Sequence, residues 1–253
     1  MNDIKLTAIS TTVFERDHAV LTGDGFVNSV YPGWTNCTVN VVINEAMGAK
    51  FCQLLVTPEQ TAILKGKNIA TQIFFYVVEG TATVTIDGAK TALTKGSYVY
   101  IPVGKEYVFD SFGENTQLLT FHKKFEALDG YEIPSVVIGN EADIPQNIYC
   151  DDPDLLMQNL LPDSTDMAFD MAINIFTYNP GANLPFVETH IMEHGLMYLQ
   201  GQGVYRLADK WYPIKKGDSI WMAPYCPQWF GALGKEPAVY IYYKNVNRFP
   251  IQP

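Results

Sequence analysis

The stretch that decides the fold is EGTATVTIDGAKTALTKGSYVYIPVGKEY, residues 79–107, because it aligns without gaps with QGQGVYRLADKWYPIKKGDSIWMAPYCPQ, residues 200–228, at an offset of 121 residues. Gly80 falls on Gly201, and most apolar positions coincide, although identities are few. An internal repeat of this length indicates two copies of one structural unit. Half of the 253 residues is about 126, which is a usual size for a single domain.

Short β-branched and aromatic runs follow one another about every ten residues, as in IFFYVVEG, TATVTID and SYVYIPV, and again in GVYRL, SIWMAP and AVYIYYK. This spacing predicts an all-β sandwich or barrel. Only residues 151–161, DDPDLLMQNLL, favour a short connecting helix, because apolar residues follow an Asp-rich start that would cap it. We expect two domains, residues 1–125 and 126–253, with the seam in the charged, Pro-containing stretch 122–162.

The composition narrows the classes of partner. Lys and Arg number 17 against 27 Asp and Glu, a net charge of −10, and no basic cluster interrupts the acidic excess, so nucleic acid and anionic membranes are not expected partners. No apolar run approaches the roughly 18 residues of a membrane helix, and the first residues lack the apolar core of a signal peptide. We expect a cytoplasmic homo-oligomer that binds a small molecule. Its four well-separated cysteines should be reduced and mostly buried.

Ligand-type side chains concentrate just before the second copy of the repeat. Glu188, His190 and His194 are all even-numbered, so on a strand they can share one face, and Gln228 comes from a strand that would face them. A satisfied core histidine would explain one of the two imidazoles but seldom both. We therefore interpret these four side chains as the ligands of one metal ion.

Glycines and prolines frame this set at regular spacings: Gly181 and Gly201 around the ligands, and Gly217 with Pro224 ahead of Gln228. The frame resembles the two motifs of the cupin family, and Gly96, Pro102 and Gly104 match the second motif in the first copy. The second copy keeps the eleven-residue span but moves the proline by one position. The resemblance implies a bicupin, with two tandem antiparallel barrels of the jelly-roll type.

The donor set favours a particular kind of metal. Two imidazole nitrogens, one carboxylate and one amide oxygen, without thiolate, suit Mn²⁺, Fe²⁺ or another octahedral divalent ion better than a closed tetrahedral zinc site. Two open positions and a formal charge of +1 should attract a small carboxylate. In the first copy the offset gives Lys67, Ile69, Ile73 and Tyr107, which make no ligand set. We therefore expect one metal per chain and a scaffold or oligomerisation role for the first barrel.

Four other features are interpreted as structural. Glu193 has the opposite parity to His194, so it should be structural or on the surface. His18 and His122 lie in charged contexts, ERDH and HKK, which are typical of solvated faces. The Gly201–Gly203 turn lacks the third glycine of a dinucleotide-binding loop and precedes a strand.

The last strand-like run, AVYIYYKNVNR, supplies candidate catalytic residues. Tyr240, Tyr242 and Lys244 share one parity, which makes one face of the strand polar and aromatic. If that face looks into the barrel, Lys244 comes close to the metal and can serve as a general acid or base. The alternative is a lysine at a strand end that reaches water.

Three segments carry a closer resemblance: ETHIMEHGLMYLQGQGVYRL, PQWFGALGK and YIYYKNVNR, residues 188–207, 227–235 and 240–248. They resemble the (S)-ureidoglycine aminohydrolases, manganese-dependent bicupins of allantoin degradation that release ammonia and give (S)-ureidoglycolate. The resemblance implies metal ligation by Glu188, His190, His194 and Gln228, a catalytic pair Lys244 and Tyr240, and substrate contacts by Glu188, Tyr205, Gln228, Tyr240 and Lys244. Another metal-dependent cupin enzyme, an isomerase or dioxygenase acting on a small acid, and a non-catalytic ligand-binding bicupin are the alternatives.

Overall fold

A computed structural model describes residues 11–249. Its regular structure is almost entirely β, with three short 3-10 helices at Gly23–Gly25, Glu45–Met47 and Glu141–Asp143. The strands before and in the first barrel are β1 Val13–Phe14, β2 His18–Leu21, β3 Asn28–Ser29, β4 Trp34–Ile43, β5 Phe51–Lys67, β6 Thr71–Glu79, β7 Thr81–Ile86, β8 Ala89–Thr94, β9 Ser97–Ile101, β10 Glu106–Asp110 and β11 Gln117–Lys124.

The remaining strands are β12 Val137–Asn140, β13 Asn147–Tyr149, β14 Asp152–Asn159, β15 Met171–Tyr178, β16 His194–Gln200, β17 Gln202–Leu207, β18 Lys210–Lys215, β19 Ser219–Met222, β20 Gln228–Leu233 and β21 Ala238–Asn245. Strands β3–β11 build the first barrel and β13–β21 the second. The pairings among the described strands are antiparallel. The chain has the two copies that the repeat predicts and the bicupin architecture that the resemblance implies.

The repeat is confirmed strand by strand. β7 and β17 begin at Thr81 and Gln202, and β8 and β18 begin at Ala89 and Lys210, each 121 residues apart. At the last strand, the offset between the two barrels is one residue longer. His122 of β11 lies opposite Ile73, and Lys244 of β21 lies opposite His194, the counterpart of Ile73. His122 is therefore the position in the first barrel that corresponds to Lys244.

The arm that precedes each barrel pairs with the other barrel. β2 adds to the edge strand β19 of the second barrel, with His18 opposite Met222. β12 adds in the same way to β9 of the first barrel, with Val137 opposite Tyr100. Strand pairing thus crosses the predicted boundary at residue 125 in both directions, while the division into two units remains a prediction.

Three apolar clusters fill the molecule, one inside each barrel and one between the barrels. In the cluster between them, the Phe51 ring of the first barrel stacks on Tyr243 of the second with centroids 4.1 Å apart. Gly195 permits this approach, because a Cβ there would overlap the Phe51 ring. A buried ion pair from Lys123 to Asp170, 2.6 Å long, also ties the two barrels together.

The predicted helix at 151–161 is wrong, because these residues form β14. Two consecutive residues with positive φ, Cys150 and Asp151, make a tight hairpin turn from β13 into β14. β14 then pairs with β15 on its other side, and its Leu155 is buried inside the second barrel. Pairing on both edges overrides the local helical pattern, as tertiary context commonly does.

The four cysteines are free thiols, as expected, but the prediction that most are buried is wrong. Cys226 is buried, Cys37 and Cys52 are partly buried, and Cys150 is exposed at the hairpin turn. Within residues 11–249, no helix is long and apolar enough to cross a membrane.

Candidate metal centre

The site depends on an interruption of the strand order in the second barrel. After β15 the chain passes Pro180 and Pro185, which lack the N–H that a continuous ladder needs. Only two isolated bridges to β20 remain in this stretch, Asn183 to Gly231 and Glu188 to Gln228. The irregular segment 179–193 therefore carries Glu188 and His190 over the barrel mouth, next to the first residue of β16, His194.

All the side chains predicted to act at the site line one cavity of about 130 Å³ inside the second barrel. The polar ones are Tyr149, Glu188, His190, His194, Tyr205, Gln228, Tyr240, Tyr242 and Lys244. The prediction that the even-numbered face of the last strand looks into the barrel is confirmed, since Tyr240, Tyr242 and Lys244 all reach this cavity.

Three of the proposed ligands converge at short distances. The Nε2 atoms of His190 and His194 lie 3.0 Å apart, and the Gln228 amide lies 2.8 Å from His190 Nε2. Neighbouring ligands around an octahedral ion at about 2.1 Å are separated by about 3.0 Å. Turning the Gln228 amide by 180° presents its oxygen to the same point. These spacings and donor types fit a divalent metal ion.

The electrostatics of the cavity also suit a cation. Burial lowers the pKa of His190, and burial together with His190 and Lys244 holds the pKa of His194 well below its ordinary value. Both rings are therefore neutral near pH 7 and offer a lone pair for coordination. The Nδ1 atom of His190 is buried without a hydrogen-bond partner, so His190 meets its polar partners through Nε2 alone.

Glu188 lines the cavity but does not close on the two imidazoles. Its Oε1 accepts a hydrogen bond of 3.1 Å from the Tyr149 hydroxyl, and burial raises its pKa. Among residues 11–249, the one group of three His, Cys, Asp or Glu ligand atoms within 4.8 Å of one another lies elsewhere, at Asp17, His18 and Cys226. The structure thus brings His190, His194 and Gln228 together and holds the Glu188 carboxylate against Tyr149.

The sequence reasoning missed two residues of the site, Tyr149 and Asp163. The Asp163 carboxylate forms an ion pair with the Lys244 ammonium, whose side chain is only 13% exposed. Tyr149 ends β13, a strand hidden in the stretch interpreted as a connector. The repeat could not reveal either residue, because both lie outside the aligned segments.

Tyr240 and Tyr205 lie deeper in the same cavity. The Tyr240 hydroxyl is 3.1 Å from the hydroxyl of Tyr178, and Tyr205 donates a 3.4 Å hydrogen bond to Gln228 Oε1. Burial raises the pKa of both Tyr240 and Tyr205, so both hydroxyls remain protonated. They can give and accept hydrogen bonds but do not carry charge.

Two of the structural interpretations need correction. His18 and His122 are buried, not solvated, with 1% and 6% of their surface exposed. Each sits against aromatic rings, His18 against Tyr212 and His122 against Tyr31, and His18 also pairs with the Asp17 carboxylate. Glu193 is confirmed as structural and is not on the surface: it is buried and accepts a hydrogen bond from the backbone N–H of Lys50.

The equivalent positions of the first barrel hold no such arrangement. Lys67 is exposed and pairs with Glu106, and Ile69 is 84% exposed. Ile73 and Tyr107 are buried in the apolar cluster inside that barrel. Among its described residues, the first barrel therefore has no counterpart of the ligand set.

Comparison with known proteins agrees with this architecture. The family model described as Cupin domain matches residues 70–120 and 174–243, one stretch in each barrel. The crystal structure of protein Ylba from Escherichia coli superposes with a TM-score of 0.85 at 31% identity, covering 97% of this chain and 98% of that one.

Curated relatives extend over nearly the whole chain. The (S)-ureidoglycine aminohydrolase of Arabidopsis thaliana is 36% identical over 97% of this chain and 81% of its own length. The (S)-ureidoglycine aminohydrolase of Escherichia coli is 35% identical over 96% of this chain and 94% of its own length. At this identity and coverage, the chain belongs to the (S)-ureidoglycine aminohydrolase family of cupin proteins.

Proposed function

We propose that this protein hydrolyses (S)-ureidoglycine to (S)-ureidoglycolate and ammonia, a step of allantoin and purine catabolism. The observation that carries the proposal is the single cavity in which His190, His194 and Gln228 converge beside the Lys244–Asp163 ion pair. Family membership identifies the substrate, and the cavity supplies groups for each part of the reaction. In that reaction a C–N bond breaks, a C–O bond to water forms, and the amine leaves as ammonia.

We assign the metal as Mn²⁺, one ion in the second barrel, with His190, His194, Gln228 and Glu188 as its protein ligands. Neutral nitrogen and oxygen donors without thiolate suit this ion. Glu188 would join the set through a carboxylate oxygen, and the Tyr149 hydroxyl that donates to its Oε1 would orient the carboxylate. When bound, such an ion acts as a Lewis acid and anchors an anionic substrate group.

The cavity favours a small carboxylate substrate. Its volume of about 130 Å³ is small for a ligand site, which favours a compact acid over a bulky one. The Lys244 ammonium adds positive charge at the cavity wall. Tyr205 and Tyr240 offer neutral hydroxyls that can hold the ureido group, so the substrate would be fixed in one orientation and one face of its central carbon exposed.

Lys244 is the group we assign to proton transfer. Its ammonium can give a proton to the departing amine, and the neutral amine left behind can take one from the attacking water. Asp163 holds the ammonium in place from the side, and the Tyr240 hydroxyl is available as a hydrogen-bond partner. We therefore assign Asp163 as a positioning residue for Lys244.

Two further properties remain proposals. A homo-oligomer is supported by large apolar side chains exposed on the second barrel, among them Trp211, Tyr225 and Phe186, each more than half exposed. Four free thiols are typical of a reducing compartment such as the cytoplasm. Light scattering on the protein as it elutes from a gel-filtration column would measure the mass of the oligomer directly.

The test combines metal analysis with an ammonia-release assay on freshly prepared (S)-ureidoglycine, and an oxygen electrode runs in parallel. We expect stoichiometric release of ammonia, (S)-ureidoglycolate as product and no oxygen uptake. Oxygen consumption would favour a dioxygenase instead. Metal-loaded protein that binds the substrate and releases no ammonia would favour a non-catalytic bicupin.

A further inference from the structure

A second group of metal-ligand atoms lies outside the cavity, where the arm before the first barrel meets the second barrel. Asp17 lies in the bend before β2, His18 begins β2, and Cys226 lies in the loop between β19 and β20. One ligand atom from each of the three lies within 4.8 Å of the other two. Nothing in the proposed mechanism uses these residues.

The histidine of this group is held as a metal ligand would be. Its side chain is 2% exposed, and its Nδ1 faces the Asp17 carboxylate at 2.8 Å. Its other ring nitrogen, Nε2, lies 2.8 Å from the Tyr212 hydroxyl. Metal-ligating histidines characteristically use the second nitrogen in this way, which fixes the tautomer and the ring orientation.

The backbone keeps the three residues in register although they are some 200 positions apart in sequence. His18 lies opposite Met222 in the ladder, and the N–H of Ala223 donates to the carbonyl of Asp17. Cys226, three residues on, is buried with 3% of its surface exposed. The exchange of the arm between barrels is what brings these donors together.

We propose that Asp17, His18 and Cys226 form a second metal site, suited to Zn²⁺, that fastens the arm to the second barrel. A carboxylate oxygen, an imidazole nitrogen and a thiolate sulfur are the donor types of zinc sites, with water as the fourth ligand. The thiolate also separates the two sites chemically, because no cysteine is among the described residues that line the cavity in the second barrel. Asp17 is half-buried, so an ion can enter from solvent.

Cobalt is the probe that distinguishes the two sites, since Co²⁺ bound to a thiolate gives a charge-transfer band and Co²⁺ bound to nitrogen and oxygen alone does not. Manganese-loaded full-length protein is titrated with Co²⁺, then with Zn²⁺ in competition. We expect the band to saturate at one Co²⁺ per chain and to disappear when Zn²⁺ is added.

The variants make the assignment specific. Cys226→Ser should abolish the band, whereas Cys150→Ser, which changes an exposed thiol at the turn between β13 and β14, should keep it. Asp17→Asn, at a half-buried position, and Tyr212→Phe, which removes the partner of Nε2, should each weaken Zn²⁺ binding by roughly 10-fold or more. Circular dichroism checks that each variant is folded.

A wild-type protein that shows no thiolate band at saturating Co²⁺ would overturn the proposal, and so would a band that survives in Cys226→Ser. Either result would leave Asp17, His18 and Tyr212 as a hydrogen-bonded chain that anchors the arm without metal. The outcome is independent of the ammonia-release assay, so failure of the proposed enzymatic function would not be confused with failure of this site.

Discussion

The two barrels share a strand order but use one strand differently. In the first barrel, β5 runs unbroken for 17 residues from Phe51 to Lys67 and pairs with β11 through its first part and with β10 through its last. In the second barrel, β15 ends at Tyr178 and an irregular segment takes the place of the last part. In the first barrel, the last part of β5 pairs with β10. In the second barrel, the corresponding stretch is irregular, and Glu188 and His190 line the cavity.

The side chains inside the two barrels also differ. Where the second barrel has His194, Gln228 and Lys244, the first has Ile73, Tyr107 and His122. His122 is buried against the rings of Tyr31, Trp34 and Phe75, and its Nε2 has no hydrogen-bond partner. One scaffold therefore supports a polar site in one copy and a closed apolar core in the other, and a few interior positions decide which.

The largest expected effect comes from removing an imidazole of the second barrel. His190→Ala or His194→Ala should abolish Mn²⁺ retention, and ammonia release should fall by about 10³-fold or more, because a bound metal supplies several kcal/mol of transition-state stabilisation. Gln228→Ala deletes a neutral, weaker donor and should lower metal affinity less. Metal analysis after gel filtration measures retention.

Stoichiometric Mn²⁺ in both histidine variants would contradict the assignment of His190 and His194 as metal ligands. His122→Phe is the matched control from the first barrel, and it should keep the metal because the first barrel is not expected to bind one.

The next effect concerns the position at which the two barrels differ most, Lys244 against His122. Lys244→Met keeps the length and the apolar stem but removes the amine, so the barrel should fold and the metal should stay. Ammonia release should fall by roughly 10²-fold, the usual scale for losing a general acid or base. The limb of the pH–rate profile that reports this group should also vanish.

Lys216→Met, at an exposed position outside the cavity, is the control and should leave turnover unchanged. Turnover near wild type in Lys244→Met, with an unchanged pH profile, would remove Lys244 from the mechanism.

A smaller effect is expected at Asp163, which we assign to the positioning of Lys244. Asp163→Asn keeps the shape but loses the ion pair, so kcat should drop about 10-fold, the equivalent of about 1.4 kcal/mol, while KM changes less. Asp163→Glu should restore part of kcat. Equal losses in kcat for the Asn and Glu variants, or a change confined to KM, would show that the carboxylate does not act through Lys244.

The last effect is on stability and not on activity, and it tests the closed core of the first barrel. Burial lowers the pKa of His122 to about 3 from an ordinary value of 6.5, so the folded protein binds fewer protons there than the unfolded chain. Its contribution to stability is complete above pH 6.5 and is lost as the pH falls towards 3, by at most about 1.4 kcal/mol per pH unit.

His122→Phe should remove that slope, which urea unfolding at pH 7, 6, 5 and 4 would measure against wild type. Parallel stability–pH curves for the two proteins would mean that His122 titrates as it does in the unfolded chain.

The sequence predicted the features that depend on the internal repeat and on the alternation of side chains along a strand. The repeat at an offset of 121 located β7–β9 and their counterparts β17–β19, and the even-numbered series placed His194 and Lys244 in one cavity. It did not predict what depends on long-range pairing. The exchange of β2 and β12, the strand at 152–159 and the burial of His18 all follow from which edge each segment meets, and no local pattern encodes that.

Asp163 and Tyr149 illustrate the same limit inside the site. Both precede the aligned second copy of the repeat, so the repeat gives them no counterpart, and neither stands at a ligand spacing. Folding brings Asp163 against Lys244 and Tyr149 against Glu188, and only the folded structure reveals these contacts.

We propose that catalysis belongs to the second barrel alone, through one Mn²⁺ held there. The most direct measurement is Mn²⁺ per chain together with ammonia release from (S)-ureidoglycine, in wild type and in the His190→Ala/His194→Ala double variant. We expect one Mn²⁺ per chain and ammonia release in wild type, and neither bound Mn²⁺ nor ammonia release in the double variant. Two Mn²⁺ per chain in wild type, or Mn²⁺ and activity that survive in the double variant, would contradict it.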